Sequence, residues 1–453
     1  MSFDPNLLGA ALARMAGGAL LPLANLARLS GGANMESWSF DWGGAGYVLR
    51  RAPTAEMMEG RPFGHDVEAA LVRAAHANGV LAPQIVGELI GGDALGTGYI
   101  MRRIEAEANP AVILVDPPAN LIKDIARELA RIHAIPLNVI PALAAVETVE
   151  ALAQLKARFA DYGGDRPILA LAIKWCEDHL PTPAPPCLVH GDFRMGNIMV
   201  GDEGVAAILD WELAHIGDAH EDLAWGCINA WAFGHIDRPA FGCADLDAYF
   251  AAYEAAGGGA VDLDRFRFWL IYRTLWWGLC CLQMADIWRS GMDKSLERLV
   301  IGRRTSETEV DLLLLLEEDA PETQALPITL DPAAEPRRMG EPSSAELLEA
   351  VTSWIANDIK QKAEGRDRFM AAVALNALGM LTRDAASPAQ VYDKALCDDI
   401  LAGRKTLATP GLLAKLRRDS LAKLAVDQPK YSALKKARVL WGSDKQAIPT
   451  IKS

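Results

Sequence analysis

The chain has 453 residues, 51% of them hydrophobic and 7% aromatic, which suits two or three domains with large cores and argues against global disorder. A formal net charge of −14 argues against nonspecific nucleic-acid binding. Seven scattered cysteines, an odd number with no CxxC pair, speak against a complete disulfide framework and give no zinc or thioredoxin-like signal; a reduced cytoplasm fits them.

The opening stretch, MSFDPNLLGAALARMAGGALLPLANL, places Asp4 before its apolar run and Arg14 inside it. Asp4-Pro5 reads as a capped helix start, and the apolar run after it as an amphipathic helix rather than a secretory leader. From about residue 26 to 105, strand signals alternate with Gly turns: NLARLSGGANMESWSFDW, YVLRRAP, PQIVGEL and TGYIMRRI. One helix, His65 to Asn78, interrupts them. This predicts a small, mainly antiparallel sheet with one helix.

From Asn120 the pattern turns helical, and NLIKDIARELARIHA sets Leu121, Ile122, Ile125, Leu129 and Ile132 on one face. The most apolar segment, FRFWLIYRTLWWGLCCLQMADIW (Phe266 to Trp288), contains Arg267, Arg273 and Asp286. It is expected to be a core helix, not a membrane span. LEEDAPETQALPITLDPAAEPRRMGEP, residues 316–342, is rich in Pro and acid and reads as a linker. Beyond it, SSAE (Ser343 to Glu346) is a capping box. The helices expected after it cover 347–359, 366–385, 388–403, 409–426 and 431–440. Charge also divides here. Residues 343–453 hold 18 Lys/Arg against 12 Asp/Glu, while the rest holds 27 against 47. A basic tail domain that docks on the acidic body, or touches an anionic ligand, is one expectation.

LVHGDFRMGNIMV interrupts the helical half. NIMV rises, GDEG turns and VAAILD returns, which predicts a hairpin. Antiparallel pairing then brings Asn197, just before the first strand, beside Asp210, at the end of the second. Asp192 lies in the adjoining loop. Asp and Asn oxygens are hard ligands suited to Mg²⁺, which usually also holds waters and substrate phosphates. A spare Asp can take a proton from an attacking hydroxyl. An Asp base, an Asn five residues later and an Asp after a short strand form the phosphoryl-transfer constellation of the kinase fold.

HGDFRMGNIM, with ILDWE and IGDAHEDLAW, resembles the aminoglycoside phosphotransferase-like small-molecule kinases, over roughly residues 20 to 315. The resemblance implies an α+β, bilobal kinase-like fold followed by a separate all-α domain. Residues 1–105 would be the nucleotide-binding lobe, 106–315 the catalytic and substrate lobe, 316–342 the linker and 343–453 a helical accessory domain. Asp192 would be the catalytic base, Asn197 a Mg²⁺ ligand, and Asp210 the main Mg²⁺ ligand bridging the ATP phosphates. His190 would brace the loop. Asp218 and Asp222 would hydrogen-bond backbone near it, and Glu212 would either join the metal site or face solvent.

YVLRR occupies the place where the kinase fold keeps a phosphate-binding basic residue paired with a helix Glu. The expected Lys is Arg50 here, and Glu68 is its partner. That exchange is not neutral, since guanidinium is bulkier and bidentate. LSGGANMESW would form the loop over the phosphates, with backbone N–H groups at Gly31 and Gly32. YIMRRI, around Met101, would join the lobes and hydrogen-bond adenine through its backbone.

The motifs fix the reaction class better than the acceptor. YVLRRAP and DWELAHIGD look most like the branch associated with acyl-CoA dehydrogenases, whose members phosphorylate 4-hydroxyacyl-CoA. The tail resembles a small domain of unknown function that accompanies such kinases. Arg102, Arg103, Arg273, Arg289, Arg303 and Arg304 are candidates for a path binding the CoA phosphates. Two other readings stand beside this one: a kinase for an aminoglycoside, choline or sugar, and a non-catalytic nucleotide-binding regulator. Trp276, Trp277, Trp288 and Tyr272 are read as core packing.

Overall fold

The computed structural model describes residues 3–19, 21–29, 35–321 and 340–386, then 395, 396, 399, 404, 405, 409–427, 429 and 430. Gly31, Gly32, most of the Pro/acidic stretch and the helices expected over 388–403 and 431–440 lie wholly or largely outside these residues. The chain forms two compact units, residues 1–280 with 304–332 and residues 281–303 with 333–453.

The first unit opens with helix α1 (Pro5–Met15), capped by the Asp4 side chain, which accepts from Asn6 N at 2.9 Å. A five-stranded antiparallel sheet follows, built from β1 (Leu23–Arg28), β2 (Glu36–Trp42), β3 (Ala45–Ala52), β4 (Ile85–Glu88) and β5 (Thr97–Arg102). Its spatial order is β1-β2-β3-β5-β4. Helix α2 (His65–Ala77) connects β3 to β4. Leu8, Ala11 and Leu12 of α1 pack with Phe40, Trp42, Tyr47, Leu49 and Ile100 of the sheet.

The period-2 pleat gives the two arginines of β3 different surroundings. Arg51 shares a face with Tyr47 and Leu49. It donates to Glu36 at 2.9 Å and lies 4.5 Å over the Phe3 ring. Arg50 faces the opposite way, towards Glu68 of α2, 3.3 Å away.

The helical lobe of this unit begins with α3 (Pro110–Ile113) and α4 (Leu121–His133). Leu121, Ile125, Leu129 and Ile132 of α4 are buried as the spacing predicts. Helices α5 (Thr148–Arg158) and α6 (Pro167–Asp178) lead to β6 (Cys187–Val189) and the hairpin of β7 (Ile198–Gly201) with β8 (Gly204–Ile208). The hairpin expected from the sequence is present as its own two-stranded sheet, and a second strand pair lies beside it in sequence. β9 (His215–Gly217) pairs antiparallel with β6, and at three residues it is too short for its pattern to be read. Helices α7 (Ala219–Trp225), α8 (Leu246–Ala255), α9 (Leu263–Arg289, as far as Cys280) and α11 (Thr305–Leu316) complete this unit. The α+β, two-lobe organisation expected from the sequence is present.

Among its described residues the second unit has helices and no strand. It takes the last turns of α9, then α10 (Leu296–Arg303), α12 (Ser344–Trp354), the short α13 (Lys360–Lys362), α14 (Gly365–Ala385) and a helix Leu412–Asp427. Its core joins Ala285, Trp288 and Leu299 to Ala350, with Leu296 and Leu347 against them. This packing places 281–303 with the C-terminal helices. No helix of the described residues is long and apolar enough to cross a membrane.

Ser343 and Glu346 form the expected capping box, and Glu346 also pairs with Arg289 at 2.5 Å. The Arg289 hydrogen bond is the largest influence on the Glu346 carboxyl; with the Ser343 bonds it outweighs burial and lowers the pKa to about 2. A depressed carboxyl stabilises above its unfolded pKa, near 4.3, and that stability is lost as pH falls through the folded value. Glu346→Gln keeps a capping-box residue but removes the charge. Circular-dichroism melts should show the variant less stable than wild type at neutral pH, with the gap closing between about pH 4.3 and 2.

Candidate active site

The hairpin register sets the geometry of the site. Ile198 lies opposite Ile208, and Leu209 N donates to Asn197 O at 2.8 Å. Asn197 and Asp210 therefore emerge at the same end. Asp210 has φ +67°, the left-handed region that few non-glycine residues adopt and that Asp tolerates better than most. This backbone turns the chain out of β8 and brings the Asp210 carboxylate to Arg50.

Arg50 reaches across from β3. Its Nη2 lies 2.6 Å from Asp210 Oδ1 and 2.5 Å from Glu212 Oε2. Its Nε stands 3.3 Å from Glu68 Oε1, which also accepts from the Tyr99 hydroxyl at 2.9 Å. Three carboxylates thus share one guanidinium. Arg61, which sequence reasoning missed, adds a second cation at 2.6 Å from Glu212. Glu212 points into the site rather than to solvent. Burial alone would raise the Asp210 carboxyl, but Arg50 and Arg194 more than offset it and hold it low. Burial pushes Glu68 up, the nearby Asp210 and Glu212 charges add to that, and Arg50 only partly reverses it.

Asp192 sits where β6 gives way to the loop. Its Oδ1 accepts from Trp225 Nε1 at 2.7 Å and Arg194 Nε at 2.9 Å, and its Oδ2 from Asn197 Nδ2 at 2.6 Å. Asn197 is 6% exposed and spends its amide nitrogen on Asp192. Its carbonyl oxygen has no hydrogen-bond donor among the described residues.

The loop is braced from beneath. Gly191 has φ +80°, and a Cβ there would meet the Leu213 carbonyl oxygen at 2.4 Å, so only glycine fits between His190 and Asp192. Asp222, fully buried, accepts from His190 N at 2.7 Å, Gly191 N at 2.9 Å and His133 Nε2 at 3.2 Å. Burial raises its pKa less than these donors lower it, so it stays ionised. The His190 ring shares Nε2–H with the Leu209 carbonyl at 3.1 Å and accepts from Asp192 N at 3.2 Å. Burial lowers its pKa, in keeping with a neutral, bracing ring.

Asp218 does not serve the loop as expected. It caps α7 and holds Trp269 and Arg265, at 2.9 and 2.7 Å. Arg273 is not on an open path either. It is 3% exposed, donates to Gly191 O at 2.6 Å and Glu221 at 2.9 Å, and lies 3.9 Å over the Trp225 ring. Met101 lies within β5, opposite Val48 of β3 and Ile85 of β4. The segment that leaves the sheet follows it, from Arg103. Gly31 and Gly32 fall outside the described residues.

Asp222→Ala should strand two buried loop amides and His133. Chemical denaturation should show a loss above about 3 kcal/mol, since each unsatisfied buried group costs about 1–3 kcal/mol.

A family model described as the phosphotransferase enzyme family (APH) matches residues 25–269, more than half of the chain. A second, described as a domain of unknown function (DUF6285), matches residues 387–431. Acyl-CoA dehydrogenase family member 10 of Mus musculus is 25% identical over 252 residues, 50% of this chain and 23% of that protein. Probable acyl-CoA dehydrogenase IBR3 of Arabidopsis thaliana is 32% identical over 72 residues, 15% of this chain and 9% of that protein. The chain thus spans less than a quarter of either relative. A solved Ralstonia eutropha structure, provisionally named an aminoglycoside phosphotransferase, shares the fold with a TM-score of 0.56 at 20% identity, covering 70% of this chain and 99% of its own.

Proposed function

This chain belongs to the phosphotransferase enzyme family, and from that premise we propose that it transfers the γ-phosphoryl group of ATP to the hydroxyl of a hydroxyacyl-CoA. The observation that carries the reading is that Arg50 bonds Asp210, while Asn197, at the same end of the hairpin as Asp210, bonds Asp192. Asp192 orients the acceptor hydroxyl and takes its proton as transfer proceeds in line. Arg50 and Arg61 turn from Glu212 to the triphosphate, and Glu68 keeps Arg50 aligned. The backbone of the segment after Met101 is the adenine anchor.

The residues present fit Mg²⁺. The Asp210 carboxylate and the undonated Asn197 carbonyl oxygen are hard donors. Among the described residues no group of three or more His, Cys, Asp or Glu forms a ready metal cage. Mg²⁺ is usually held by one or two carboxylates together with substrate phosphates and waters. Asp210 and Asn197 would hold it, and it would neutralise charge on the phosphates.

The CoA-ester acceptor is supported by the names of the two relatives, both acyl-CoA dehydrogenases. A cationic acceptor is the second reading. It is favoured by the acidic balance of residues 1–342, which hold 47 Asp/Glu against 27 Lys/Arg.

The test is mass spectrometry of a mixed pool of hydroxyacyl-CoA, aminoglycoside, choline and sugar after incubation with protein, ATP and Mg²⁺. A phosphorylated CoA ester is expected, absent with Asp192→Ala. A different phosphorylated member keeps the mechanism and discards the acceptor. With the true acceptor, Asp192→Ala should lower kcat by about two to four orders of magnitude while ATP affinity survives. Asp210→Ala should instead weaken metal-dependent nucleotide binding, measured by calorimetry.

A further inference from the structure

The two oxygens of the Asp192 carboxylate are not equivalent. Oδ1 accepts two hydrogen bonds, from Trp225 and Arg194, at 2.7 and 2.9 Å. Oδ2 accepts one from a side chain, Asn197, at 2.6 Å. A carboxylate oxygen offers about two lone-pair sites, so Oδ1 is filled and Oδ2 keeps one open.

Both donors to Oδ1 are themselves fixed. Trp225 is 1% exposed. Its ring meets Trp231 edge-on at 5.3 Å and Trp276 at 5.5 Å, and the Arg273 guanidinium covers it at 3.9 Å. Arg194 lies 4.2 Å over the Trp231 ring and also donates to the Met195 carbonyl at 3.2 Å. One aromatic group therefore backs both donors. Rotation of the carboxylate, which would exchange its oxygens, breaks both bonds to Oδ1 together.

We propose that Trp225 and Arg194 are positioning residues that clamp Oδ1 of Asp192 and so assign the acceptor's proton to Oδ2. This rests on Asp192 being the base. The acceptor oxygen bonds to the γ-phosphorus as the bond from that phosphorus to the β–γ bridging oxygen breaks. ADP keeps the electron pair of the broken bond, and the acceptor's proton passes to Oδ2.

Trp225→Phe keeps the ring and removes the N–H. In the full chain, turnover is followed with the pool member that accepts phosphate and, in parallel, as ATP hydrolysis with water as acceptor. A hydrogen bond to a charged group predicts a fall in kcat of about 10- to 100-fold. Kd for Mg-ATP and Tm should stay at wild-type values. Arg194→Lys, which retains one cationic donor, should fall between wild type and Arg194→Ala in kcat. A Trp225→Phe kcat within about twofold of wild type overturns the clamp, as does a loss matched by weaker ATP binding and lower Tm in the folded variant. If Trp225→Phe does not fold, the Arg194 pair decides. A loss of kcat in Arg194→Ala that Arg194→Lys partly restores supports the clamp, and wild-type kcat in Arg194→Ala overturns it. Wild-type protein that transfers phosphate to neither acceptor overturns the phosphotransfer reading, and the clamp falls with it.

Discussion

Arg50 stands between three carboxylates, and much of the first unit is arranged around that imbalance. Glu68 comes from α2, while Asp210 and Glu212 follow the hairpin, so one side chain of β3 ties the sheet lobe to the helical lobe. Even with Arg61 the cluster holds more negative than positive charge. Closely packed carboxylates repel one another unless cations intervene. In the proposed reading, a divalent ion held by Asp210 and Asn197 would offset the acids, and the phosphates of ATP would engage the arginines. The Arg-for-Lys exchange suits such a site, because a planar fork can face two carboxylates at once.

Beneath the cleft a second, buried network holds the loop. Asp222 accepts from two successive amides, His190 and Gly191, and Arg273 takes the Gly191 carbonyl. The peptide leading to Asp192 is thus fixed by charged groups from α7 and α9. Such preorganisation is what positional catalysis needs, since phosphoryl transfer asks the protein for placement and charge rather than covalent chemistry.

Where neighbours lie close along the chain, the sequence could be read. The glycine-flanked turn after NIMV fixes the pairing of β7 with β8, and with it the meeting of Asn197 and Asp210. The place of YVLRR singles out Arg50, with Glu68 as its partner, and the two lie 3.3 Å apart. The capping box at Ser343 lies within one helical turn. What stayed hidden depends on distant partners. Arg61 meets Glu212 across 151 positions, and Arg273 meets Gly191 across 82. No local pattern marks either pair, and Arg273 in an apolar run looked like a ligand contact. Asp218 followed the motif, yet its partners Arg265 and Trp269 drew it to another task. β9 has only three residues, too few for periodicity to speak.

The central claim is that this carboxylate-rich cradle is a metal–triphosphate site. Calorimetric titration of ATP into the wild-type chain, repeated across Mg²⁺ concentrations and in excess chelator, tests it most directly. The account predicts that ATP affinity rises with Mg²⁺ and largely disappears in chelator, because free triphosphate would meet Asp210 and Glu212 uncompensated. ATP binding that is equally tight without the metal would contradict it.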